Sequence, residues 1–167
     1  MNGLQQVKDA LMEALETAGL TAVPAFSPGW AKHCRHTVAA VGLRKGESRE
    51  IGLGRYLGRH TDPDSGVERE VYGRALSMEL SVDLYAPANL GARGCDEALE
   101  TLHRVLMAQL PCGVKPTGLK WDELNWDEET EMFLRKGSLC CEAWFTGEVS
   151  EDGLLLQDFI LKGVLKT

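Results

Sequence analysis

The densest group of reactive side chains is the stretch WDELNWDEETEM, residues 121–132. It holds six carboxylates and no basic side chain, at Asp122, Glu123, Asp127, Glu128, Glu129 and Glu131. Clustered carboxylates can bind divalent cations or act as general acid and base. A calcium loop, however, spaces its oxygen ligands around a glycine, and that pattern is missing. We therefore predict a solvated hairpin turn at residues 127–130, closed by the side chain of Asp127, with Asp122, Glu123 and Glu131 on the flanking strands.

The histidine and cysteine pattern gives no better chemistry. His33, Cys34 and His36 lack the C-x-x-C or H-x-x-x-H spacing of zinc sites, and we expect them to begin a strand as ordinary polar residues. Cys140 and Cys141 are adjacent, so on a strand they point to opposite faces, with one of them in the core. The sequence predicts no catalytic residue, no metal ligand and no cofactor, and we do not expect an enzyme.

Glycine-rich segments do not indicate a nucleotide site. GLGRYLG, residues 52–58, lacks the following helix and the Lys-Ser/Thr pair of a phosphate-binding loop. The net charge of −7 and the pI near 5.1 oppose binding to nucleic-acid phosphates, which requires clustered Lys and Arg. We expect no nucleic-acid partner.

Composition predicts a single domain over residues 1–167. Hydrophobic residues make up 44% and charged residues 26%, which is enough for a packed core without disulfides. The five cysteines are an odd set without a C-x-x-C pair, which indicates reduced thiols in the cytosol. No signal peptide and no apolar run of about 20 residues is evident, so we expect no membrane partner.

Two helices follow from apolar residues spaced three and four apart. The first runs from Leu4 to Ala18 with Gly19 after it. The second has an apolar stripe at Cys95, Ala98, Leu99, Leu102, Val105, Leu106 and Leu110, and Pro111 and Gly113 are expected to stop it.

Strands are indicated by alternation and by β-prone runs. LSMELSVDLY, residues 76–85, alternates apolar and polar side chains along one strand. Residues 117–126, 132–149 and 154–165 are predicted as further strands, with a bulge at Gly137. The expected fold class is α+β, a mostly antiparallel β-sheet with two α-helices packed on one face.

The region between the first helix and the LSMELSVDLY strand is predicted as a hairpin and a loop. Residues 36–43 and 49–57 form the two strands, joined by a turn at Lys45, Gly46 and Glu47. The polar stretch GRHTDPDSGVERE, residues 58–70, is then a long loop. Long loops often carry function, so this one is a candidate functional segment.

Aromatic and arginine side chains near these segments are candidates for an interface, because both types are enriched there. The candidate interface residues are Arg55, Tyr56, Arg59, His60, Arg69, Trp126, Glu128 and Glu129. For any single aromatic, a place in the core is an equally good reading.

The second half of the chain resembles the tail terminator, or tail completion, proteins of phages and prophages of Gram-positive bacteria. The resemblance is carried by LSMELSVDLYAPANLGARGCDEALETLHRVL, by NWDEETEMFLRKGSLCCEAWF and by the closing QDFILKGVL, together with the helix at the start. It consists of a strand ending in DLYAP, a Gly-Cys helix start, an acidic turn, a strand ending in Trp-Phe and a DFxLKG strand.

This resemblance implies a structural subunit that forms a ring, typically a hexamer, on the end of the tail tube. Its partners would be further copies of itself, the tail tube protein and the head-tail connector protein. It would be found in the host cytoplasm during assembly and then in the virion tail. The alternatives are another head-tail joining, neck or baseplate component, or a small metal- or ligand-binding enzyme.

Overall fold

The computed structural model describes residues 3–108, 110, 113–150 and 159–161 as an α+β fold with a largely antiparallel sheet. The helices are α1 (Gly3–Thr17), α2 (Pro28–Ala31) and α3 (Gly91–Met107). The strands are β1 (Thr21–Val23), β2 (Val38–Glu50), β3 (Tyr56–Thr61), β4 (Glu68–Pro87), β5 (Lys115–Trp121), β6 (Asn125–Asp127), β7 (Met132–Arg135), β8 (Gly137–Ser150) and β9 (Phe159–Leu161).

The long strand β4 organises the sheet. Along one of its edges it pairs with β2 and then with β3, and along the other with β7 and then with β8. β5 and β9 pair with the outer edge of β8, and β6 pairs with β7. β1 is parallel to β2, while all other pairs are antiparallel.

The core lies between one face of this sheet and the helices α1 and α3. Alternation in β4 buries its even-numbered side chains from Leu76 to Ala86. The apolar stripes of the helices cover them, with Val7, Leu11 and Leu15 from α1 and Cys95, Ala98, Leu102 and Val105 from α3. The expectation of two helices on one face is confirmed, and the short α2 is an addition to it.

The predicted hairpin at residues 36–57 is wrong. β2 runs without a turn through Lys45, Gly46 and Glu47 to Glu50 and stays paired with β4. Gly46 is needed for close strand approach, because a Cβ there would lie 3.1 Å from the carbonyl oxygen of Ser77. The chain bends instead at residues 51–55, where Gly52 and Gly54 have positive φ and lie in no strand.

The predicted long loop at residues 58–70 is also wrong at both ends. Residues 58–61 belong to β3 and residues 68–70 to β4, and these two strands pair with each other. Only residues 62–67 form the turn, in which the side chain of Asp62 accepts hydrogen bonds from the amides of Asp64 and Ser65. β2, the bend at 51–55 and β3 thus form one side of a long hairpin with β4.

The boundaries of the other helices and strands differ less from those predicted from the sequence. α3 ends at Met107, so Leu110 is buried beyond the helix, while Pro111 lies outside the described residues. The strand expected at 117–126 is interrupted between β5 and β6, and the one at 132–149 is interrupted before Gly137. Of the strand expected at 154–165, only β9 is described. No helix in the described part of the chain is long and apolar enough to cross a bilayer.

Candidate assembly surfaces

The outer part of the long hairpin is a sheet whose faces the described residues leave largely uncovered. We call residues 43–75 the β-arm. Gly73 is the one buried residue in this range, although β2, β3 and β4 are regular strands there. Beyond Leu43 every residue of β2 is exposed, and β1 pairs only with residues 38–40, so the free edge of β2 begins after them. A sheet normally buries at least one face.

Both faces of the β-arm carry apolar side chains. On the helix side, the rings of Tyr56 and Tyr72 meet edge to face with centroids 5.7 Å apart. On the opposite face Leu57 lies over Gly73, where an added Cβ would come within 2.6 Å of the Leu57 side chain. Trp144 of β8 lies opposite Ala75 on that same face and is exposed. The arm therefore offers aromatic contact area on one face, and Leu57 and Trp144 of β8 add apolar contact area on the other.

The charged candidates on the β-arm lie in exposed ion pairs. Arg55 is 3.1 Å from Glu50, Arg59 is 3.2 Å from Glu68 and Arg69 is 3.5 Å from Glu148. The Glu68 carboxylate raises the pKa of the exposed Arg59 guanidinium. Exposed pairs of this kind contribute little to stability, so they can be exchanged for contacts with another chain.

The bend at residues 51–55 holds Leu53 out into solvent. Gly52, Gly54 and Arg55 all have positive φ, which turns the chain sharply on both sides of Leu53, and the amides of Tyr56 and Gly73 donate hydrogen bonds to the carbonyl oxygens of Leu53 and Arg55 at 3.2 and 2.9 Å. A Cβ at Gly52 would lie within 2.4 Å of the carbonyl oxygen of Tyr56, so a side chain cannot be accommodated there. Leu53 is 93% exposed, the highest value among the large hydrophobic side chains of the described residues.

The acidic turn, residues 127–131, lies at the other end of β4. The side chain of Asp127 accepts hydrogen bonds from the amide and the hydroxyl of Thr130, which confirms the predicted role of Asp127. Glu128 and Glu129 are exposed at its tip. Asp122 and Glu123 lie in the connection between β5 and β6 and Glu131 lies in the turn, so the expectation of flanking strands for these three is wrong.

An apolar cavity opens near this turn, and we call it the aromatic pocket. It has a volume of about 290 Å³ and is lined by Val23, Phe26, Trp30, Val38, Cys34 and the histidines His33 and His36. Phe26 stacks on Tyr85 with ring centroids 4.5 Å apart. Burial raises the pKa of Tyr85, and Asp83, Asp127 and Glu129 raise it further. The pocket and the acidic turn are therefore neighbours.

Trp126 belongs to this end of the molecule as well. Its ring packs edge to face on Phe133 with centroids 5.1 Å apart and stays 47% exposed. The eight candidate interface residues thus divide into two groups. Arg55, Tyr56, Arg59, His60 and Arg69 lie on the β-arm, while Trp126, Glu128 and Glu129 lie at the acidic turn.

Between the β-arm and the acidic turn, the face of the sheet opposite the helices is polar. We call it the open face. Glu79 accepts a hydrogen bond from Ser138 at 2.6 Å and lies 3.0 Å from the Lys45 ammonium. These contacts lower the pKa of the Glu79 carboxyl, the hydrogen bond from Ser138 most strongly. A shallow trough lined by Glu47, Thr117, Cys140 and Glu142 surrounds them. The polar side chains of this face are therefore held by ion pairs and hydrogen bonds with one another.

The four cysteines within the described residues do not form a reactive centre. Burial raises the pKa of the Cys141 thiol to about 12 and raises that of Cys95 as well, which opposes thiolate chemistry. Cys141 is buried and Cys140 is not, which confirms the predicted opposite faces. Cys34 follows α2, outside any strand, and donates to the carbonyl oxygen of His36 at 3.0 Å. In the described ranges no three His, Cys, Asp or Glu side chains gather as a metal would need.

Two prominent residues were missed by reasoning from the sequence. Leu53 was assigned to the predicted strand at residues 49–57, although its position between Gly52 and Gly54 indicates a bend. Trp30 is 61% exposed at the aromatic pocket, and nothing in its local sequence predicts that cavity. The pocket forms only because β1, α2 and β2 come together.

Comparison with known proteins gave no relative. A scan against protein-family models found no matching family, and a search of curated proteins found no match to this chain.

Proposed function

We propose that this protein is a structural subunit of a phage or prophage tail, a tail terminator that forms a ring on the end of the tail tube. The observation that supports this most strongly is the β-arm. In residues 43–75 the paired strands β2, β3 and β4 hold one buried residue, and a sheet exposed to this extent is typical of a protein completed by its neighbours.

The resemblance of the second half of the chain to tail terminators is the reason for placing this assembly at the end of the tail tube. The ring stops polymerisation of the tube by occupying its end, and it offers the opposite surface to the head connector. This mechanism needs no turnover, only shape and surface. Among the described residues, the buried thiols and the ion-paired open face offer no competing chemistry.

The subunit is expected to associate weakly by itself. Rings that form before a tube end is present would withdraw subunits from assembly, so the tube end must act as the template. Analytical ultracentrifugation of the purified chain should therefore show mostly monomer at micromolar concentration. A tight hexamer under those conditions contradicts templated assembly, although it leaves the terminator role intact.

Electron microscopy of tails assembled without this gene tests the function. We expect tubes of irregular length that lack attached heads, and restoration of both length and attachment when the gene is supplied in trans. Tubes of uniform, normal length with firmly attached heads in the deletion strain would overturn the proposal.

A further inference from the structure

Leu53 has the features of an anchor residue for a protein contact. It is almost fully exposed, and its bend is restrained by hydrogen bonds from the amide of Tyr56 to the Leu53 carbonyl oxygen and from the amide of Gly73 to the Arg55 carbonyl oxygen. A preorganised apolar side chain loses little conformational freedom on binding, so it contributes more to affinity than a mobile one. A restrained bend that presents a leucine is typical of a contact site, whereas a leucine exposed to water alone needs no such bend.

The aromatic pocket has the features of a receptor for such a side chain. Its walls are Phe26, Trp30, Val23 and Val38. Its volume of about 290 Å³ is enough to admit one aliphatic side chain together with part of the backbone that carries it. Trp30 at its rim remains 61% exposed and would be covered by an occupant.

The two features cannot meet within one molecule. Val38 lines the pocket at the start of β2, and Leu53 follows Glu50 at the end of the same strand. A regular strand of this length spans about 40 Å. Anchor and pocket can therefore combine only between two copies, in a head-to-tail contact that repeats around a ring.

The two features differ in charge, although Arg55 and Arg59 already pair with Glu50 and Glu68 and would exchange these exposed partners for the acidic turn. Residues 43–75 carry seven basic and six acidic side chains, which leaves +1 on the β-arm and −8 on the remainder of the chain. Arg55 and Arg59 lie beside and beyond Leu53 on the arm. The acidic turn with Glu128 and Glu129 lies beside the pocket, through Tyr85 and Phe26.

We propose that Leu53 of one copy inserts into the aromatic pocket of the next copy, with Arg55 and Arg59 facing the acidic turn of that neighbour. This inference gives the proposed tail function a particular contact between subunits. It rests on that function, because the function requires the contact to close into a ring. It assigns the β-arm to the contact between subunits and gives each subunit one donor end and one receiving end.

Disulfide trapping tests the contact directly, because native Cys34 lines the pocket. Leu53→Cys in the full chain should give covalent dimers and longer ladders under a mild thiol oxidant, on denaturing gels without reductant. The ladder should disappear with Cys34→Ser. Met107→Cys, at an exposed position on α3, is the matched control and should give no ladder that depends on Cys34. A Cys34-dependent crosslink within monomers, or none at all, overturns the proposal.

Charge exchange tests the second half of the contact by sedimentation of the full chain at its highest soluble concentration. Leu53→Asp should weaken association about tenfold or more, whereas Met107→Asp should not. Glu128→Lys with Glu129→Lys, and separately Arg55→Glu with Arg59→Glu, should each weaken it, most strongly at low salt. The protein with all four changes should recover. Unchanged association for Leu53→Asp, or no recovery, overturns the contact.

Failure of this inference can be told from failure of the tail function. The head-to-tail contact is wrong if the chain remains monomeric at every concentration. It is also wrong if the gene for the Leu53→Asp variant, supplied to the deletion strain, restores tails of normal length. In both cases the terminator role stands. If the deletion strain assembles normal tails, the terminator role is wrong whatever the sedimentation shows.

Discussion

Asp83 is a carboxyl group that the fold partly removes from water. It lies on the polar face of β4, where its carboxylate accepts a hydrogen bond from the amide of Gly137. One of its oxygens is buried and has no hydrogen-bond partner within the described structure. Burial raises the pKa of Asp83 above its ordinary value. A raised pKa means that the folded protein binds this proton more tightly than the unfolded chain does.

Asp83→Asn should therefore stabilise the protein at neutral pH. The ionised carboxylate costs stability above its folded pKa, and this cost disappears as the pH falls through that pKa and below the unfolded value. We expect a higher melting temperature for the variant at pH 7 and a difference that shrinks toward pH 3, measured by circular dichroism. Asp64→Asn, at an exposed carboxylate in the turn at residues 62–67, is the control. A lower melting temperature for Asp83→Asn at pH 7 contradicts this account.

Gly137 is a position where two strands approach too closely for a side chain. A Cβ there would lie 2.7 Å from the carbonyl oxygen of Val82, which is backbone and cannot move aside. Gly137→Ala should lower the free energy of unfolding by about 1–3 kcal/mol, measured in urea. Gly118→Ala on β5 is the matched control, because its Cβ would meet open space. Equal stability of the two variants contradicts the close approach.

At the scale of elements, the acidic turn shows how a charged sequence can be structural. Asp127 organises the turn through Thr130, while Glu128 and Glu129 point into solvent. Six neighbouring carboxylates suggested a reactive centre, but the turn and its flanking connection direct them apart. Their remaining property is a negative surface, which is what a neighbouring basic surface could recognise.

Asp127→Ala should destabilise the β6–β7 hairpin, because the amide and the hydroxyl of Thr130 lose their acceptor. We expect a loss of about 0.5–1.5 kcal/mol in the free energy of unfolding. Glu128→Ala should have almost no effect, since its side chain is exposed at the tip. If Glu128→Ala proves the more damaging of the two, Asp127 does not organise the turn.

The elements also show where reasoning from the sequence succeeds. The helical stripes of α1 and α3 and the alternation of β4 each depend on one face meeting one core, so a local pattern determined them. The turn assigned to Lys45, Gly46 and Glu47 failed because a glycine can serve a turn or a close strand contact. Only the pairing of Gly46 with Met78 distinguishes the two.

At the scale of the whole molecule, the described residues form one sheet with a part that the helices cover and a part that no described element covers. β4 passes through both, with residues 76–86 under the helices and residues 68–75 in the β-arm. Exposed backbone hydrogen bonds with few buried side chains open at low free-energy cost, whereas those in the core open only on global unfolding.

Hydrogen exchange should reveal this division. In the isolated protein, amides of residues 44–50 and 56–61 should exchange much faster than those of residues 76–84. In assembled tails the arm should become protected, because neighbouring subunits would cover it. Core amides serve as the internal control. Protection of the arm equal to that of the core in the monomer would contradict an uncovered sheet.

The sequence by itself determined the α+β class, the two core helices, the central strand and the acidic turn. Each of these is encoded by residues close together in the chain, through a period of 3.6 or 2 or through turn chemistry. The tertiary structure decided that residues 38–61 form one bent side of a long hairpin, that Leu53 is exposed at its bend, and that Phe26, Trp30 and Val38 enclose a pocket. These features depend on pairing and packing between residues far apart in sequence, where local preference carries no information about the partner.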